Sequence, residues 1–167
     1  MDDFKSGIKY VESLGYTDPG DFCIYGASNG GYAANFLITE ISEIRCAIIH
    51  EGSSDAVTMH NWFPVNGWAD EIAGVDFYSH FDDYVKMSPL YRMNRVNASV
   101  LLIYGGNTSP TWPIEVIPEF KALRDLGKDV TLLRYNKEGH AFTTLFGQDD
   151  SLSRIHKFLD RYLKQGR

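Results

Sequence analysis

Ser28 stands at the centre of Gly26-Ala27-Ser28-Asn29-Gly30-Gly31, directly after the apolar run Phe22-Cys23-Ile24-Tyr25 and just before a helical run from Tyr32 to Ile38. A strand, a glycine-bounded serine and a helix make a nucleophile elbow, G-x-S-x-G with an extra glycine. The sharp turn lifts the serine hydroxyl above a sheet end and aims the first N–H groups of the helix at negative charge forming there. The chemistry this implies is acyl transfer through a serine ester, with the Asn29 N–H as one oxyanion donor. The residues around such a turn must be small for the backbone to close, and Gly26, Ala27, Gly30 and Gly31 are small. A serine nucleophile also needs a base. His140 lies in Asn136-Lys137-Glu138-Gly139-His140-Ala141-Phe142, a glycine-containing loop after the last expected strand, and is the candidate. His50 ends a strand and reads as packed. His60, His80 and His156 read as loop or helix-surface residues.

The elements that must position these groups alternate. Helices are expected over 2–14, 28–39, 80–86, 112–126 and 149–164. Strands are expected over 22–25, 45–50, 100–104 and 130–135. Residues 51–74 read as irregular and aromatic. Gly127 stops one helix. In the last helix Leu152, Ile155, Leu159 and Tyr162 are expected to face inward. The acidic pairs Asp82-Asp83 and Asp149-Asp150 read as solvated helix termini, the second ahead of the final helix. The strands are continuous apolar runs rather than alternating ones. That indicates an α/β protein with a mostly parallel sheet of about four strands covered by helices on both faces.

Composition narrows the classes. The 167 residues carry 44% hydrophobic and 23% charged side chains, ordinary for a globular chain with its own core. The net charge of −6 gives no support to nucleic-acid binding. No apolar run approaches the ~18 residues of a membrane span, and the acidic start Met1-Asp2-Asp3 lacks an apolar signal region. Cys23 and Cys46 fall in expected buried strands and need no disulfide, so a reducing, cytoplasmic setting is expected. No His/Cys/Asp cluster has metal-ligand spacing, and neither metal nor cofactor is expected.

The motifs together resemble the catalytic domain of prolyl oligopeptidase-type serine peptidases, alpha/beta-hydrolases that cleave short peptides. Beyond the elbow, the resemblance rests on Gly67-Trp68 with Glu71 and Gly74, and on His80-Phe81 leading to Met87-Ser88-Pro89-Leu90-Tyr91. Leu101-Leu102-Ile103-Tyr104-Gly105 and Glu138-Gly139-His140-Ala141-Phe142 complete it. The Ser-Pro-Leu-Tyr block is its most specific part, and a general esterase or lipase would not account for it. The resemblance implies Ser28 as nucleophile, His140 as base, Trp68 lining the pocket for the residue before the scissile bond, and a peptide substrate. It also implies that residues 1–167 are one partial hydrolase domain, the C-terminal half of the fold, with the early strands and the propeller absent.

Two departures follow. The family pattern places an aspartate in the loop after the 100–104 strand, and aligning Pro113 puts Thr108 there. No carboxylate occurs anywhere from Asn97 to Ile114. Glu115 reaching back, or Glu51 or Asp55 acting from the neighbouring strand end, would supply an acid. Otherwise the domain is an inactive binding or interaction module. The second oxyanion donor would come from an upstream loop. The 22–25 strand, central in the full fold, is expected to leave one edge open and to pair with a second copy or a separate N-terminal chain. A clean monomer in size-exclusion chromatography at high micromolar concentration would contradict that pairing.

Overall fold

A computed structural model describes residues 2–62, 68–107 and 111–163, with side chains described except at 68–69 and 111–115. Four strands, β1 (Cys23–Ala27), β2 (Cys46–His50), β3 (Ser99–Gly105) and β4 (Val130–Tyr135), form one parallel sheet in chain order. Around it lie α1 (Asp2–Ser13), α2 (Asn29–Glu40), α3 (Ala56–Trp62), α4 (Trp68–Ala73), α5 (Phe81–Met87), α6 (Thr111–Asp125) and α7 (Leu145–Leu163). A 3₁₀ segment, Pro89–Arg95, precedes β3.

The apolar strands are sandwiched, as continuous hydrophobic runs require. On one face Ala47, Ile49, Val100, Leu102 and Tyr104 pack against Ala34, Leu37 and Ile38 of α2 and Val116 and Leu123 of α6. On the other, Cys46, Ile48, Leu101, Ile103 and Tyr135 pack against Phe158 of α7, with Ile155 and Leu159 alongside. β2 and β3 are therefore the rigid centre. Among the described residues β1 pairs with β2 alone, and Tyr25 on it is 57% exposed.

Four expectations need correction. The 51–74 stretch contains α3 and α4, helices of seven and six residues. Neither segment shows a readable periodicity, and helices this short are held by tertiary contacts. The last helix starts at Leu145, so Asp149 and Asp150 lie inside it rather than ahead of it. There Asp150 accepts a hydrogen bond from the Tyr135 hydroxyl (2.8 Å) and pairs with Arg154 (2.7 Å). Leu152 is exposed rather than inward. Finally, Cys23 and Cys46 are joined in a disulfide. Parallel pairing sets Cys23 directly opposite Cys46, with Cα atoms 4.6 Å apart, a separation a disulfide spans. Strand register is invisible in a single sequence, and the pairing removes the support that free thiols would lend to a reducing compartment.

Asp55 explains the Ser-Pro-Leu-Tyr block. Its carboxylate is buried and accepts from the Val57 N–H (3.0 Å) and the Thr58 hydroxyl (2.6 Å), capping α3. The Tyr91 hydroxyl reaches the same carboxylate at 3.3 Å. Ser88 Oγ lies 3.1 Å from Asp55 Oδ1 and accepts from the Ala56 N–H at 2.9 Å. The segment before β3 is thus clamped to the end of β2. Asp55→Ala strands several buried donors at once and is expected to lower stability by about 3 kcal/mol in urea denaturation.

Candidate active site

Parallel strands bring their C-terminal ends to one side of the sheet, and the chemistry-bearing residues follow those ends. β1 runs into Ser28, whose backbone sits at φ 54°, ψ −120°, a left-handed conformation rare for a residue with a side chain. Hydrogen bonds hold the turn on both sides. The Ser28 N–H donates to the His50 carbonyl at 3.0 Å, and the Ser28 carbonyl accepts from the Tyr32 N–H at 3.0 Å to start α2. A Cβ on Gly26 would stand 2.0 Å from the Gly30 carbonyl oxygen, and one on Gly31 2.5 Å from Gly52 Cα. Gly30 itself has open space, so the expectation that all the elbow's glycines are sterically required holds at two positions only. Asn29 is the first residue of α2 and is exposed, so its N–H belongs to the helix end that lacks intrahelical partners.

β4 runs into the His140 loop. Glu138 fixes that loop from within. Its carboxylate is buried and accepts from the Thr144 hydroxyl, from the Thr143 N–H (2.8 Å) and, more weakly, from the Thr144 N–H (3.4 Å). The Thr144 hydroxyl and then the Thr143 N–H hold this carboxyl below its usual range. The Asn107 N–H donates to the Glu138 carbonyl at 2.8 Å, tying the loop to the end of β3. Glu138 was not read as a candidate from sequence. Its only sequence signal is a carboxylate two residues before a candidate histidine.

His140 Nδ1 lies 2.8 Å from Glu51 Oε2. The His140 side chain is 44% exposed while that of Glu51 is 1% exposed. The other oxygen, Glu51 Oε1, accepts from the Gly105 N–H. Burial raises the Glu51 pKa, and the Gly105 N–H and His140 oppose that rise. Glu51 also has positive φ, 51°, so two residues with side chains hold left-handed backbone at adjacent strand ends.

Next to this pair, His50 stacks edge-on against Phe142 at 4.6 Å. Burial, and then the nearby His140, lower the His50 pKa to about 4. Between about pH 4 and the ordinary histidine value of ~6.5 the unfolded chain therefore binds the extra proton, and this group's contribution to stability falls as the pH drops through that window. Glu51, with its raised pKa, has the opposite slope. His50→Gln is expected to reduce the stability lost between pH 7.5 and pH 4.5 in urea denaturation. An unchanged loss would refute this assignment of the slope.

Of the acid candidates, the structure brings Glu51 to His140 and engages Asp55 in the α3 clamp. Thr108 lies outside the described residues. Trp68 opens α4 and Glu115 lies in the first turns of α6, and the side chains of both are outside the description.

A parallel sheet in this order, with an elbow after its first strand and a histidine loop after its last, is the layout of an alpha/beta-hydrolase. The chain belongs to the prolyl oligopeptidase family, whose profile matches residues 1–166. Its fold superposes on an acylaminoacyl peptidase in complex with Z-Gly-Gly-Phe-chloromethyl ketone with a TM-score of 0.88 at 25% identity, covering 97% of this chain and 27% of that one. The uncomplexed acylaminoacyl peptidase of Pyrococcus horikoshii gives a TM-score of 0.87 at 26% identity, again over 97% and 27%. The uncharacterized peptidase YuxL of Bacillus subtilis (strain 168) is 26% identical over 135 residues, 75% of this chain and 19% of that protein. This chain therefore spans about a fifth to a quarter of the proteins it resembles. No helix among the described residues is long and apolar enough to cross a membrane.

Proposed function

We propose that this chain carries the reacting centre of a serine-type peptidase, with Ser28 as nucleophile and His140 as general base. The observation that carries the reading is the strained backbone of Ser28, φ 54°, at a strand-to-helix turn. A side chain held in that region costs on the order of 1–3 kcal/mol, and such strain gathers at functional sites. In the reaction, Ser28 Oγ bonds to the carbonyl carbon of the substrate while its proton passes to His140 Nε2. The oxyanion forms beside the exposed Asn29 N–H at the start of α2. Collapse breaks the C–N bond, and His140 returns the proton to the departing amine. Water then repeats the sequence on the serine ester, with His140 again as base.

Membership of a peptidase family supports a peptide over a simple ester. The peptidic chloromethyl ketone bound by the acylaminoacyl peptidase suggests the probe. The test is covalent labelling of the folded chain by a fluorophosphonate and by a peptide chloromethyl ketone, followed by peptide mapping. Modification of Ser28 by the first and of His140 by the second is expected. A folded chain that takes neither reagent overturns the reading in favour of an inactive binding module.

A further inference from the structure

We infer that Glu51, at the end of β2, is the positioning carboxylate of His140, taking the place of the aspartate that the family pattern puts in the loop after β3. The inference rests on the reading of Ser28 and His140 as nucleophile and base. It says where the third group comes from.

The geometry is that of an orienting acid. Oε2 faces His140 Nδ1 at 2.8 Å, and Oε1 is held by the Gly105 N–H. One oxygen thus anchors the carboxylate to the backbone of β3 while the other meets the imidazole. The Glu51 side chain is almost wholly buried while the ring of His140 is nearly half exposed. The ring therefore turns its Nδ1 edge to the protein. A carboxylate at Nδ1 fixes the proton there, makes Nε2 the nitrogen that takes a serine proton, and stabilises the imidazolium that forms.

The backbone reinforces the placement. Glu51 has φ 51°, and both polar groups of the peptide unit that leads into it are hydrogen-bonded. The Ser28 N–H donates to the carbonyl of His50, and the Glu51 N–H donates to the Ile103 carbonyl at 2.9 Å. The elbow that aims Ser28 and the turn that aims Glu51 are therefore hydrogen-bonded to one another across β1 and β2. The neighbouring described carboxylates are engaged elsewhere: Asp55 by Val57, Thr58 and Tyr91, and Glu138 by Thr143 and Thr144. Among the described residues His50 is a further titratable group beside His140, and burial keeps it uncharged near neutral pH.

The test compares the chain with Glu51→Gln and Glu51→Asp. Glutamine keeps an acceptor for the Gly105 N–H and removes a buried charge. Its melting temperature is expected to equal or exceed that of the native chain. The rate of Ser28 labelling by a fluorophosphonate is expected to fall about 10³–10⁴-fold, the scale seen when a triad acid becomes its amide. Its pH–rate profile is expected to shift, and Glu51→Asp is expected to recover part of the rate. A group with only a structural role would instead lower the melting temperature and leave the pH profile alone. Glu51→Gln labelling within threefold of the native rate, with the native pH profile, overturns the inference. A second readout separates this from failure of the Ser28 reading. In ¹⁵N NMR the proton of His140 is expected on Nδ1 in the native chain and redistributed toward Nε2 in Glu51→Gln. An unchanged tautomer overturns the inference whether or not Ser28 reacts.

Discussion

Ser28→Ala is expected to abolish fluorophosphonate labelling, and His140→Ala to slow it by about as much as the assay can follow, on the order of 10⁶. The two losses should not add. Nucleophile and base act as one unit, so once either is gone the other has nothing to activate or deprotonate. The double variant is accordingly expected to match the single ones. The fold should survive both changes. His140 is substantially exposed, Ser28 is bound through its backbone rather than its hydroxyl, and the core lies in the layers against β2 and β3. Native circular dichroism with no labelling would isolate the chemistry from the fold. Retained modification elsewhere in Ser28→Ala, found by peptide mapping, would move the nucleophile to another residue.

Gly105→Ala is expected to damage the site from a position that carries no functional group. A Cβ there would stand 2.3 Å from the Gly139 carbonyl oxygen and 2.5 Å from that of Glu138, closer than real contacts allow. Both atoms are backbone of the loop that leads into His140, so the loop must move. The Gly105 N–H that anchors Glu51 moves with it. A displacement of about 1 Å in a reacting group costs about 10² in rate, and overpacking costs about 1–3 kcal/mol in stability. Labelling slowed by about 10², with a stability loss in that range by urea denaturation, is the expected outcome. Gly30→Ala is the contrasting control. Its Cβ meets open space within α2, and alanine in a helix is favoured over glycine by about 0.5–1 kcal/mol. Its stability should hold or rise. A Gly105→Ala protein with the native labelling rate would show that the loop's position is not set by this contact.

How much of this was legible in the residues themselves divides along the range of the interactions. Periodicity and apolar runs placed all four strands and the long helices to within a few residues, because those signals are local. The positions of Ser28 after β1 and His140 after β4 were legible for the same reason, each embedded in a short motif next to a strand. The short helices α3 and α4 were not legible, since tertiary bonds such as those of Asp55 hold them. Nor was the start of α7, where Gly147 packs against the Glu138 side chain of the preceding loop.

The acid shows the boundary most clearly. The sequence by itself determined an alpha/beta-hydrolase fold with a glycine-bounded serine after one strand and a histidine loop after another. It also determined that no carboxylate stands where the family pattern puts one. It left Glu51, Asp55 and Glu115 open, because nothing in their local patterns says which side chain reaches a residue at the end of another strand. The tertiary structure brings Glu51 to His140 and engages Asp55 in α3. Parallel register sets the ends of β2, β3 and β4 side by side, where Glu51 Oε2 meets His140 Nδ1, and the pairing of β1 with β2 sets Cys23 against Cys46. Partners 89 and 23 residues apart in the chain meet only when the sheet has chosen its alignment, and that choice is a property of the packed whole rather than of any segment.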